Sequence, residues 1–224
     1  MDLDKRKVIY QTQAGWTRGT RNHLYRRAGV LNATRILEVG SGTGTIIEEL
    51  GGRLRGDIFG ADIDHLSCKF ARQKSAIAGI TVANGLNLPF RDQTFEVTLC
   101  HYYLIWTYDI KKALNEMLRV TRSGGRIVIA SEPDYDGIIE YPDIGLKNEL
   151  IGNLKSEGMK KFDTGRQLLS LIGEKAEIIE AGVISHILNR FEIGKLIGDI
   201  IKGQKEKQDQ LFFQPIFYFL AKKY

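Results

Sequence analysis

From residue 35 onward the chain alternates between two hydrophobic rhythms. Short apolar runs rich in β-branched residues, RILEVG at 35–40 and DIFGAD at 57–62, end in Gly or Asp and predict parallel strands. Between them Thr45–Leu50 has a helical period closed by Gly51-Gly52, and His65–Ala78 repeats apolar residues at helical spacing up to a stop at Gly79. The pattern goes on with a strand near 80–84, a strand at 95–101, a helix across 109–121, the turn Ser123-Gly124-Gly125 and a strand at 126–131. Strands alternating with helices imply a doubly wound, mostly parallel sheet.

After Glu132-Pro133 the pattern changes. Residues 134–172 are polar, glycine-punctuated and mostly helical in period, and read as an insertion. A strand is predicted around 175–187, a helical stretch near 190–203, and a last strand in Phe212–Leu220, which brings the sheet to seven. That strand contains Pro215, which has no N–H for a ladder, so a bulge or an edge position is expected, with hairpin pairing to the preceding strand. The first 34 residues read as helical and are placed to cover the top of the sheet.

Composition narrows the picture. With 224 residues, 43% of them hydrophobic, the chain can bury one sizeable core. A single domain is expected, divided into an N-terminal helical cap (1–34), a core (35–132), a helical insertion (133–174) and C-terminal strands (175–224). No apolar stretch approaches the roughly 18 residues of a membrane span, and MDLDKRKVIYQTQ lacks a signal peptide's apolar region, so the expectation is a cytoplasmic protein without a membrane partner. Cys68 and Cys100 have neither CxxC spacing nor a nearby histidine in sequence, which predicts buried thiols and no metal site. The net charge of +5 is spread among acids; its densest cluster, Lys202–Lys207, reads as a solvated helix end rather than a nucleic-acid surface.

The candidate chemistry lies in EVGSGTGT, residues 38–45, behind the first strand. Ligands of open α/β sheets bind beyond the carboxyl ends of the strands, at this place. A phosphate-binding P-loop needs Gly-Lys-Ser/Thr, and Thr43-Gly44-Thr45 has no lysine. A dinucleotide fingerprint needs Gly or Ala where Thr45 stands. What remains is E-x-G-x-G-x-G, followed 22 residues after Gly40 by Asp62, a carboxylate able to accept from both hydroxyls of a ribose.

These residues resemble the class I S-adenosylmethionine-dependent methyltransferases, of the small-molecule, methyltransferase-11-like type. LEVGSGTG, GADID, NLPFRDQTFEVTLCH and ALNEMLRVTRSGGRIVIASEP look like that family's motifs in their usual order. The resemblance implies a Rossmann-like sheet with an antiparallel last strand and S-adenosyl-L-methionine as cofactor. It also implies that Gly40, Ser41, Gly42 and Gly44 let the backbone approach that cofactor, with Glu38 bracing the loop and reaching toward the ammonium group. Asp62 holds the ribose in this reading, Ile63 packs on the adenine, and Asn84, Gly85 and Leu86 line its edge. The family's usual Asp is replaced by Asn84, whose amide oxygen still accepts a hydrogen bond.

Methyl transfer is an in-line displacement, so alignment and exclusion of water supply most of the catalysis, and a base is needed only for a nucleophile that must lose a proton. Groups beyond strands four and five are the candidates: His101 as base and cofactor contact, with Tyr102, Tyr103, Trp106, Glu132, Asp134 and Tyr135 facing a small-molecule methyl acceptor. Cys100 lies inside an apolar strand without the Pro-Cys pair of cytosine-C5 methyltransferases, and no Asn/Asp-Pro-Pro-aromatic motif follows strand four. The segment Tyr10–Arg18, with Trp16, and Glu132–Tyr135 resemble a subgroup related to quinone and sterol biosynthesis, in which such segments form a lid. Arg18 or Arg21 then pairs with a carboxylate of the cofactor or substrate. The leading expectation is methylation of a small, partly apolar molecule. Its rivals are RNA methylation, motivated by the positive charge, and a non-catalytic cofactor-binding protein, motivated by the lack of an obvious base.

Overall fold

A computed structural model describes residues 2–74, 78–187 and 211–224. In chain order its elements are α1 (Leu3–Ala28), β1 (Arg35–Val39), α2 (Thr45–Gly51), β2 (Asp57–Asp62), α3 (His65–Lys74), β3 (Ala78–Val82), β4 (Phe95–Cys100) and α4 (Ile110–Val120). They continue with β5 (Thr121–Pro133), β6 (Ile139–Tyr141), α5 (Leu146–Ser156), α6 (Thr164–Gly173), β7 (Ala176–Ile187) and β8 (Leu211–Lys223). One sheet runs in the order β3-β2-β1-β4-β5-β8-β6, with β7 also paired to β8. The pairs among β1–β5 are parallel, and β8 is antiparallel to β5, β6 and β7.

The continuous apolar runs are explained by burial on both faces. Along β1, Ile36 packs with α1, α2 and α3, while Leu37, one residue on, packs with α4 and α6. Both are fully buried, as the two-residue period of a strand covered on each side requires. On α4 the positions Ile110, Ala113, Leu114 and Met117 form the buried stripe, and Asp109 caps the helix by accepting the Lys112 N–H at 2.9 Å. The helix α1 ends at Gly29, whose φ of 69° lets its N–H turn back to the Tyr25 and Arg26 carbonyls.

Four local expectations change. The third helix ends by Lys74, and Ala78 and Gly79 belong to β3; Gly79 is no helix stop, because a Cβ there would lie 2.8 Å from the Phe59 ring on the next strand. Ser123-Gly124-Gly125 is not a free turn but part of β5, where the register against β4 slips between Phe95 and Val97. A three-residue strand, β6, is added within the insertion. Finally, β8 pairs with β7 as expected, and its ladders with β5 and β7 each carry a register shift, as the bulge alternative asked, but it is no edge strand. Pro215 fits because it lies where β5 gives way to β6 as neighbour, and its carbonyl accepts the Asp134 N–H at 3.0 Å. The helical stretch expected at 190–203 lies outside the described residues.

A third apolar cluster joins Ile105 and Tyr135, beyond the strand ends, to Leu146, Leu150, Met159 and Phe162 of the insertion and to Phe212. It fixes α5 over the carboxyl end of the sheet, opposite the N-terminal half of α1. Among the described residues no helix is long and apolar enough to cross a membrane.

Candidate functional site

The strand order reverses between β1 and β4, and a cavity of about 760 Å³ opens there, at the carboxyl ends of the strands. Its floor is the loop between β1 and α2. Gly40, Gly42 and Gly44 have φ of 76°, 49° and 80°, a left-handed region that L side chains avoid. A Cβ at Gly40 would also stand 2.6 Å from the Tyr103 ring, and one at Gly85 2.0 Å from the Tyr103 hydroxyl. The glycines therefore admit protein side chains as well as a bent backbone: Tyr103 spans the gap between the loop and the segment after β3.

Asp62, at the tip of β2, holds this loop. Its carboxylate accepts the Gly42 N–H at 2.7 Å and the Asp64 N–H at 2.8 Å, one on each oxygen, so each oxygen keeps acceptor capacity. Burial raises its pKa, against those two amides. Glu38 is almost wholly buried, and burial, then the Asp62 charge, push its pKa well above the ordinary range. Glu38 Oε2, Ser41 Oγ and Thr45 Oγ1 are buried in the cavity wall without a hydrogen-bond partner. Buried polar atoms are rarely left so, and these point to a polar ligand along the loop.

Above the floor stands the segment after β4. The Tyr102 N–H donates to the Ser131 carbonyl at 2.9 Å, and the next three amides converge on one carboxylate. Tyr103 and Leu104 donate to Glu132 Oε1 at 2.9 and 3.0 Å, and Ile105 to Oε2 at 3.2 Å. Pinned from both sides, Tyr102 adopts φ of 53°. Its ring meets that of His101 edge-on at 4.8 Å. His101 Nε2 lies 3.1 Å from Thr17 Oγ1, and burial, with the Arg21 charge, pushes the imidazole pKa well below its ordinary value. His101 is therefore neutral at pH 7.

Of the residues singled out in the sequence, Glu38, Gly40, Ser41, Gly42, Asp62, Ile63, Asn84, Gly85, Leu86, His101, Tyr102, Tyr103, Trp106 and Tyr135 line the cavity. Five do not. Gly44 is the N-cap of α2, against Ala71. Glu132 is committed to the three amides. Asp134 pairs with Arg166 and accepts the Gly137 N–H. Trp16 packs beside the third apolar cluster, and Arg18 is exposed. Arg21 is fully buried, donating to the Ala14 carbonyl, Thr17 Oγ1 and Glu49. Both cysteines are buried and unbridged, and burial raises the Cys100 thiol pKa.

The sequence led to the expectation of a roof from the N-terminal helix and the insertion, but not to the individual side chains that form it. Arg6, Ile9, Tyr10 and Gln13 of α1, and Leu150, Asn153 and Leu154 of α5, line the cavity. Arg6 bridges to Asp64 at 2.5 Å and Lys7 pairs with Glu48, which lays the start of α1 against α2 and α3. A weak signal existed in the i, i+3, i+4 spacing of Arg6, Ile9, Tyr10 and Gln13, one face of a helix.

Comparison with known proteins agrees with this geometry. Residues 37–129 match the family model described as a methyltransferase domain. The chain is 36% identical over 140 residues to a demethylmenaquinone methyltransferase of Thermobifida fusca, covering 57% of this chain and 54% of that protein. It is 34% identical over 110 residues to a ubiquinone/menaquinone biosynthesis C-methyltransferase of Idiomarina loihiensis, covering 46% and 44%. The chain thus spans about half the length of the curated relatives it matches. Among solved structures, the N-methyltransferase NodS of Bradyrhizobium japonicum, in complex with S-adenosyl-L-homocysteine, superposes with a TM-score of 0.62 at 12% identity, over 93% of this chain and 87% of that one.

Proposed function

We propose that this class I methyltransferase domain binds S-adenosyl-L-methionine along the loop 40–44 and transfers its methyl group to a small, partly apolar molecule held beneath α1 and α5. The observation that carries the reading is the row of buried, unpartnered polar atoms, Glu38 Oε2, Ser41 Oγ and Thr45 Oγ1, beside the half-committed carboxylate of Asp62. These groups suit a ligand with an amino acid end and a ribose. Glu38 receives the ammonium, Asp62 the ribose hydroxyls, and Asn84, Gly85 and Leu86 border the base. Bound there, the cofactor supplies an electrophilic methyl. The chain's own part is to align the acceptor and keep water out, which Tyr10, Trp106 and Tyr135 do by closing the cavity with aromatic surface. His101, held neutral, stands ready to take a proton from an acceptor that must lose one.

The names of the relatives, which include quinone C-methyltransferases, support an apolar ring compound as acceptor. The roof laid by α1 and α5 favours a small molecule over RNA.

Calorimetry with S-adenosyl-L-homocysteine tests the cofactor site. Asp62→Ala weakens binding by about 1–3 kcal/mol, the scale of buried hydrogen bonds left unmade. Unchanged affinity in a folded variant removes the ribose assignment. Formation of S-adenosyl-L-homocysteine from labelled cofactor in the presence of cell metabolites tests catalysis, and its absence favours the non-catalytic binder.

A further inference from the structure

Tyr102 joins three features that no packing role requires. Its backbone is in the left-handed region, which costs a bulky residue of order 1–3 kcal/mol and persists only where neighbouring bonds impose it. Those bonds are present: the Ser131 carbonyl fixes its N–H, and Glu132 fixes the three residues after it. Tyr102 lines the cavity, and its hydroxyl is buried without a hydrogen-bond partner. By contrast the Tyr135 hydroxyl is engaged by Gln214. Resting on the function proposed above, we propose that Tyr102 positions the methyl acceptor by donating its phenolic O–H to an oxygen or nitrogen lone pair, and that the acceptor is an uncharged, ring-bearing molecule.

The surroundings support the uncharged class. Burial pushes the Tyr102 phenol well up and the adjoining His101 imidazole well down, so this corner of the cavity opposes charge of either sign. The one permanent cation among the described lining residues, Arg6, is committed to Asp64 and Ser67, which leaves no counter-charge for an anionic acceptor. Trp106, Tyr108, Tyr135 and Leu150 supply flat apolar surface for a ring.

A probe series on one ring system, bare or with one of three polar ends, tests this: naphthalene, 2-acetonaphthone, 2-naphthoate and protonated 2-(aminomethyl)naphthalene. Each is titrated into wild type and Tyr102→Phe saturated with S-adenosyl-L-homocysteine. The variant removes a buried, unpartnered hydroxyl only, so its melting temperature is not lowered and its affinity for S-adenosyl-L-homocysteine stays that of wild type. In wild type the neutral ketone binds more tightly than either charged probe. The preference for ketone over naphthalene falls about fivefold or more in the variant, the worth of one hydrogen bond. A charged probe that binds tightest, a ketone preference that survives in Tyr102→Phe, or no binding of any probe overturns the inference. Should S-adenosyl-L-homocysteine itself not bind, the cofactor reading falls, and the same series on the protein alone still decides the role of Tyr102.

Discussion

Replacing Glu132 by Gln tests how the segment after β4 is held. The carboxyl is completely buried, and burial pushes its pKa from 4.5 up to about 7, although the amides of Leu104, Tyr103 and Ile105 all pull it down. Between those two values the folded chain holds a proton that the unfolded chain has released. Stability from this group is therefore fully present below pH 4.5 and is lost as the pH rises through 7. At roughly 1.4 kcal/mol per pKa unit the whole loss is about 3 kcal/mol, of which about 2–3 kcal/mol falls between pH 5 and pH 8. Gln does not titrate, and it turns one N–H toward an amide that needs an acceptor, a fixed cost of about 1–3 kcal/mol. Wild type is thus the more stable protein at pH 5, and its advantage shrinks by about 2–3 kcal/mol at pH 8. Urea unfolding at both pH values, with equal slopes, reads this difference while cancelling the other titrating groups. An advantage that stays constant with pH means Glu132 is ionised throughout and that the three amides outweigh burial.

Gly40→Ala places a methyl group on a φ of 76° and against the Tyr103 ring, so it lowers stability by about 1–2 kcal/mol and weakens binding of S-adenosyl-L-homocysteine; a melting curve identical to wild type contradicts the loop geometry. His101→Asn lowers turnover by about 100-fold or more with little change in cofactor affinity, and unchanged turnover removes the role as base. Because the His101 pKa is depressed, this group does not slow the wild-type reaction as the pH is lowered through 6.5; a rate that halves there contradicts its neutral state. Anisotropy with a labelled RNA at 50 and 200 mM salt finds no binding that falls steeply with salt, whereas such a slope would restore the RNA reading.

The core of the fold was legible because β1 and β2 are short apolar runs ended by Gly or Asp, β4 and the middle of β5 are apolar runs, and the helix α4 carries a clean apolar stripe. Legibility failed where a residue's partner lies far along the chain. Nothing near Gly79 announces that Phe59 needs its space. Pro215 called for a bulge or an edge, because the neighbours that make room for it, β5 ending and β6 beginning, lie about 75 to 85 residues upstream. The site divided in the same way. Asp62 and the glycine loop announce themselves by spacing, but Glu132 and Asp134 look alike as acids beyond a strand, and only the fold commits one to three amides and the other to Arg166. Arg21 looked available until Glu49, 28 residues on, turned out to hold it.

Three strands form their ladders on β8, one of them β5, which is made some 90 residues earlier. During synthesis the outer edge of β5 has no native partner among the described strands until residues 211–223 leave the ribosome, and β6 and β7 wait on the same stretch. An unpaired edge next to β4 and the glycine loop is an invitation to the wrong chain, and a truncation that removes β8 exposes it permanently.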